Sequence, residues 1–251
     1  MTTSVPIDNV AVVILAAGEG KRMQSALPKV MNELKNRPLV DYVVGAVEQA
    51  GIKPVVVVSR RDNLVQNYLG ERANYVVQEK QLGTGHAVAQ TEAGLKDEGH
   101  IVVLYGDMPF ITTKSINKLI GEHTATQATI TLATITVLDF NEWRSSLKDF
   151  GRIVRDASGG IIKSVELKDA IPEEAMSSEL NPCYYVFESG WLWENLKKLK
   201  NENSQGEYYL TDLIGMAVSS GKKISSVAID PKEAIGINTK EGLAMAEKLT
   251  V

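Results

Sequence analysis

VAVVILAAGEGKRMQSALPKV, residues 10–30, reads as a strand that runs into a glycine turn and then into a cluster of cations. Residues 10–17 are apolar at every position, as a strand covered on both faces of a parallel sheet should be. Gly18 and Gly20 follow at its end, where glycine permits positive φ and lets backbone N–H groups come close to a ligand. Lys21, Arg22 and Lys29 then crowd one loop. Like charges beside a flexible turn make physical sense around an anion, and a phosphate wrapped by turn amides is the natural candidate. Met23 stands where a dinucleotide fingerprint has its third glycine, and no GK[ST] follows. The turn is therefore neither that fingerprint nor a Walker loop.

Three more short apolar runs repeat the pattern: PVVVVS (54–59), NYVVQ (74–78) and HIVVLYGD (100–107). Helix-like stretches separate them at 38–51, 61–70 and 85–95, the first with proline near its start and glycine after its end. This alternation predicts a doubly wound sheet with right-handed crossovers. From about residue 128, strands follow one another without long crossovers, at 128–137, 151–156, 161–167 and 183–188. DASGG (156–160) is a hairpin turn signal between two of them. Helices are expected again at 189–200, 207–219 and 240–249, with a strand at 223–229. No repeat or linker interrupts the chain, so one domain with a β-rich lobe in its second half is expected.

The 251 residues suffice for one large α/β domain, and 44% hydrophobic with 23% charged residues is ordinary for a soluble enzyme. A net charge of −4 gives no general attraction for nucleic acid or anionic lipid, and neither is expected as a partner. Cys183 is the single cysteine, so no internal disulfide forms; His86, His100 and His123 make no metal-binding pair. The N-terminal stretch carries no basic leader, and no apolar run approaches the roughly 20 residues of a membrane span. A cytoplasmic protein is expected.

LAAGEGKRM…LPKV resembles the signature LAAGxGTRM…PKVL of nucleotidyltransferases that couple a nucleoside triphosphate to a phosphorylated small molecule. QEKQLGTGHA (78–87), YGDMPFI (105–111), FGRIVRD (150–156), VELKDA (165–170), QGEYYLTD (205–212) and GIN (236–238) follow in that family's order and spacing. From about residue 9 to 248 the chain resembles the uridylyltransferase domain of bacterial N-acetylglucosamine-1-phosphate uridylyltransferases, a branch of the sugar nucleotidyltransferases. The resemblance implies a three-layer, Rossmann-like α/β nucleotidyltransferase fold with a mostly parallel central sheet and a β-rich sugar-binding lobe. It divides the domain into a nucleotide-binding half (about 9–127), a mainly sugar-binding half (about 128–237), and a metal-ligand asparagine with the C-terminal helix (238–251). It also implies UTP and a sugar 1-phosphate as substrates, Mg2+ as cofactor, and UDP-N-acetylglucosamine, a cell wall precursor, as product. No hexapeptide repeats of a left-handed β-helix follow, so the acetyltransferase domain of the bifunctional members is not expected.

Such a transfer needs charge neutralisation and alignment more than a general base, because a phosphate with a second pKa of about 6 is already ionised. Arg22 is expected on the triphosphate, since a guanidinium holds two phosphate oxygens. Lys29 is expected on the α-phosphate, where charge shifts in the transition state. Lys21 departs from the family's usual threonine. The resemblance adds Leu15, Ala16, Ala17, Gly18 and Gly20 around the nucleotide, and Gln78, Gln81, Gly83 and Thr84 on uridine. Gln78 would offer donor and acceptor together to the uracil edge, while His86 is expected to be a packed helix residue and not a catalyst. Asp107, at the end of a buried strand, and Asn238 would hold Mg2+. Gly106, Gly151, Glu166, Lys168, Asn181, Glu207 and Thr211 are assigned to the sugar.

Two departures touch the sugar end. The family's EHKDA is ELKDA here, with Leu167 for histidine, and its NTG is NPC. Pro182 supplies no N–H, and Cys183 puts a side chain where glycine left room. Glucose or another hexosamine therefore stands open beside N-acetylglucosamine. A cytidylyltransferase of the same fold and a catalytically silent nucleotide-sugar sensor also stay open. A dinucleotide-binding oxidoreductase is disfavoured by the missing third glycine.

Overall fold

Strand β1 (Val10–Leu15) pairs in parallel with β4 (Val55–Ser59) on one side and β6 (His100–Tyr105) on the other. Val10, Val12 and Ile14 pack into one apolar core, and Ala11, Val13 and Leu15 into a second core on the opposite face. The doubly apolar reading of this segment is thus a statement about two helical layers. The structure is a computed structural model that describes residues 9–250 except 19, 24, 62 and 204, and only the backbone of Lys21.

β5 (Asn74–Gln78) extends the sheet beyond β4, again in parallel. Beyond β6 come β11 (Tyr185–Glu188), then β7 (Ile130–Thr136), which also pairs in parallel with β12 (Ile224–Ala228). Within this main sheet only β11 runs against the others, so it is mostly parallel as expected. The lobe is antiparallel: β8 (Gly151–Arg155) and β9 (Ile161–Val165) form a hairpin through 156–160, and β10 (Glu179–Asn181) joins β8 to β7. A small hairpin of β2 (Glu33–Leu34) and β3 (Arg37–Pro38) lies apart.

Helices α1 (Leu39–Gln49), α2 (Leu64–Leu69) and α5 (Thr113–Thr126) cover one face of the sheet. The opposite face is covered by α3 (Thr84–Ala89), α4 (Glu92–Leu95), α7 (Ser189–Leu196) and α8 (Asp212–Ser219). A short α6 (Pro172–Ala175) belongs to the lobe, and α9 (Lys240–Leu249) closes over Met23, Leu34, Leu39 and Ile237. Among the described residues no helix is long and apolar enough to cross a membrane.

Two expectations change. The helix expected over 85–95 is two helices, with Thr91 turning its hydroxyl back to Val88 O (2.8 Å) at the break. The helix expected from 207 begins at Asp212, because 207–210 is an extended strap bound to the loop before α3. Helix α5 has no counterpart in the sequence reading. Its apolar spacing Ile116, Leu119, Ile120 is helical, and Thr112 caps it by accepting from Ser115 N (3.2 Å). Buried Glu233 secures the same end, accepting from Thr112 N (2.8 Å), Thr112 Oγ1 (2.9 Å) and Ser115 Oγ (2.8 Å).

His123, on α5, is 1% exposed, meets Thr131 Oγ1 at 2.9 Å and stacks edge-on against His100. Burial, and then the neighbouring His100, pushes its pKa down to about 4. Below an unfolded pKa of about 6.5 the unfolded chain takes up the proton first, so stability is full above that pH and falls as the pH drops towards 4. The loss should total about 3 kcal/mol. Urea unfolding at pH 7, 6 and 5 should show the decline, and His123→Leu should flatten it; an equal slope in both proteins would contradict this origin.

Candidate active site

The C-terminal ends of β1, β5 and β6 meet at a cavity of about 490 Å3. Leu15, Ala17, Gly18 and Gly20 form one wall, and Gln78, Gln81, Gly83 and Thr84 the other. Arg22 and Lys29 enter from short 3-10 turns, each anchored by a buried apolar neighbour, Met23 and Val30. Met23, in place of a third glycine, thus serves the core. Gly20 has φ +62°, and a Cβ there would come within 2.6 Å of Lys29 Cβ. Only glycine lets the turn close onto the lysine.

Asp107 and Asn238 form the floor. Ile237 N donates to Asp107 O (2.9 Å), and Ile237 itself is fully buried, so the end of the chain is pinned to the tip of β6. The Lys29 ammonium bonds to Asp107 Oδ2 and Asn238 Oδ1, and Arg22 Nη2 donates to the same Asn238 Oδ1 (3.2 Å). Two oxygens therefore already converge on one cationic position. Among the described residues no cluster of three or more His, Cys, Asp or Glu could make a ligand-rich site. A pair of hard oxygen donors, completed by phosphate oxygens and water, fits Mg2+.

The other wall is laced to the strap 207–210. Tyr208 N donates to Leu82 O (2.8 Å), Gly85 N to Tyr208 O (2.8 Å), and Leu210 N to Thr84 Oγ1 (3.0 Å). Gly83 has φ +105°, and a Cβ there would meet Tyr208 O at 2.6 Å. The two motifs QLGTG and QGEYYLTD are one structure. Glu207, expected at the sugar, lines this cavity.

The second cavity, of about 200 Å3, opens on the far side of the same floor: Tyr105, Asp107 and Asn238 line both. Gly151, Glu166 and Asn181 line it together, with Asp149, Phe150, Pro182 and Cys183. Burial, then Asp169 and Asp212, raises the Glu166 pKa, against which Lys168 acts. Asn181 is 1% exposed and committed inside the fold. Its Nδ2 donates to Ser164 Oγ (3.0 Å) and Tyr185 OH (2.8 Å), and its Oδ1 accepts from Cys183 N (2.9 Å). It shapes the wall instead of presenting free amide hydrogens. Cys183 takes φ +65°, a conformation that favours glycine, and burial pushes its thiol up to about 12, which makes it an inert side chain.

Four assigned residues line neither cavity. Ala16 N and Gly106 N are spent on the sheet, donating to Val57 O and Leu15 O (both 2.9 Å). Lys168 lies in the turn after β9, and Thr211 immediately precedes α8. The Lys21 side chain lies outside the described residues. Sequence reasoning missed Tyr105, the wall between the cavities. It is the last residue of β6, and the chain turns immediately after it, with Met108 N donating to Tyr105 O (3.2 Å), so the turn and not a strand register brings Asp107 beside it.

A parallel sheet whose strand ends carry a glycine turn, paired cations and a carboxylate–amide floor between two cavities defines a nucleotidyltransferase. Residues 12–208 match the MobA-like NTP transferase domain, and the chain belongs to that family. It is 46% identical over 242 residues to the Bifunctional protein GlmU of Acetivibrio thermocellus, covering 94% of this chain and 50% of that protein. It is 41% identical over 242 residues to the protein of the same name from Caldanaerobacter subterraneus subsp. tengcongensis, with the same coverage. The chain thus spans about half the length of these curated relatives. A Bacillus anthracis crystal structure named for a glucose-1-phosphate thymidylyltransferase, solved with sucrose, shares the fold. Its TM-score is 0.76 at 22% identity, over 96% of this chain and 94% of that one.

Proposed function

We propose that this nucleotidyltransferase joins UTP to a sugar 1-phosphate, N-acetylglucosamine 1-phosphate in the first instance, releasing pyrophosphate. The observation that carries the reading is the shared floor: Asp107 and Asn238 lie where two cavities of different size and lining meet, and Lys29 bonds to both from the first cavity. Two phosphorylated molecules, one in each cavity, would bring their phosphates together there. A sugar-phosphate oxygen forms the new bond to the α-phosphorus of UTP. The bond from that phosphorus to the bridging oxygen breaks, and pyrophosphate leaves with the electron pair. Arg22 binds the triphosphate, and Lys29 stabilises the charge that moves through the α-phosphate. Mg2+ held by Asp107 and Asn238 would supply further neutralisation of the phosphate oxygens. No general base is required, because the attacking phosphate is already ionised.

Pyrophosphate release measured with UTP, CTP and dTTP across a panel of sugar 1-phosphates tests the reading. Turnover with UTP and a hexosamine or hexose 1-phosphate is expected. A clear preference for CTP would overturn the base assignment, and tight UDP-sugar binding without pyrophosphate release would identify a sensor. Cys183 narrows the second cavity, so Cys183→Gly is expected to raise kcat/KM for N-acetylglucosamine 1-phosphate relative to glucose 1-phosphate by about tenfold. An unchanged ratio would remove Cys183 from sugar selection.

A further inference from the structure

Gln78 ends β5, is 3% exposed and lines the first cavity. Its Nε2 lies 3.1 Å from Gly83 O and 3.0 Å from His86 Nδ1. A carbonyl oxygen only accepts, so the amide group facing Gly83 O is the NH2, whichever way the side chain would otherwise be drawn. Its second hydrogen goes to His86 Nδ1, which must then be the bare nitrogen of a neutral ring. Gln90 Nε2 stands 3.3 Å from the other ring nitrogen and donates to His86 O at 3.0 Å. With Nδ1 bare, the ring hydrogen sits on Nε2, where the Gln90 amide is a neighbour and not a hydrogen-bond partner; a proton added at Nδ1 would face the Gln78 NH2 and find no acceptor. Burial also holds the His86 pKa below its ordinary value.

Both hydrogens of the Gln78 amide are therefore spent inside the protein. This corrects the expectation that Gln78 offers donor and acceptor together: only Oε1 is left for a ligand. An acceptor set against position 3 of a pyrimidine pairs with the N3–H of uracil or thymine. Cytosine carries a lone pair there and has to shift its amino group into register to pair at all. We propose that His86 is a positioning residue that holds the Gln78 amide with its oxygen toward the base, so that the first cavity selects a pyrimidine bearing N3–H over cytosine. This deepens the UTP reading above and rests on it.

The test is the ratio of UTP to CTP affinity, measured by calorimetry with Mg2+ on the full chain, beside the ratio of kcat/KM. His86→Phe keeps a ring and removes the acceptor. The ratio should fall about tenfold or more, the size expected when a polar group loses its partner, with KM for UTP moving more than kcat. His86→Gln returns an acceptor and should recover most of the ratio, which a packing role does not predict. Should His86→Phe melt too low for calorimetry, His86→Leu read by nucleotide-induced thermal shift makes the same comparison. An unchanged ratio in the folded variant overturns the proposal. Gln78→Ala separates the two levels. If it abolishes discrimination while His86→Phe does not, only the positioning role fails. If neither variant changes the ratio, or the unaltered protein binds neither nucleotide, the base-reading assignment fails as well.

Discussion

Lys29→Ala is expected to lower kcat by about 10²–10³-fold while the melting temperature stays within a few degrees. The ammonium lies on the cavity floor and outside the apolar cores, and the neighbouring anchor Val30 is untouched. What is lost is a cation at the point where charge develops, and such interactions act on kcat more than on KM. Lys29→Arg should not rescue the rate. Gly20 is shaped around the lysine stem, and a planar fork cannot take the ammonium's place between Asp107 Oδ2 and Asn238 Oδ1. Steady-state kinetics beside a thermal melt decide the matter: near-normal turnover in a folded Lys29→Ala protein would remove the residue from the mechanism.

Asp107→Asn is expected to lower kcat at least as far, about 10³-fold, and to raise the Mg2+ concentration for half-maximal activity several-fold. The substitution keeps the shape of the side chain. It also leaves the backbone bond from Ile237 N to Asp107 O intact, so the chain end should stay in place. The anionic donor is what disappears, and Asn238 alone is a neutral amide. Metal affinity measured directly, with Mn2+ as the probe, should weaken in the same proportion. A variant with normal metal affinity and reduced rate would show that Asp107 acts on substrate and not on metal.

Local chemistry explains which parts of this site are legible in the sequence. The strand and glycine turn at 10–20 announce themselves because both faces of β1 are covered and the turn must admit positive φ. Arg22, Lys29 and Asp107 are readable as residue types at a strand's end. Asn238 is 209 residues from Lys29 in the chain and becomes intelligible only through its motif, because a single backbone bond from Ile237 brings it to the floor. Helix α5 is legible in its Ile116, Leu119, Ile120 spacing and its Thr112 cap, whereas the part Glu233 plays at that cap, from far along the chain, is not. The place of Glu207 beside the first cavity is hidden because nothing in QGEYYLTD reveals that its backbone is stitched to the QLGTG loop. The commitment of Asn181 and Gln78 to internal partners is likewise a property of three-dimensional neighbours, Ser164 and Tyr185 in one case, Gly83 and His86 in the other. The Pro182–Cys183 departure is plain in the sequence; its left-handed backbone at Cys183 is not.

The most direct measurement is a crystal structure with UTP and Mg2+ bound. The triphosphate should lie in the cavity between the glycine turn and Gln78, with Arg22 and Lys29 on its oxygens and the metal on Asp107 and Asn238. A triphosphate bound elsewhere, or a metal remote from Asp107, would contradict the account.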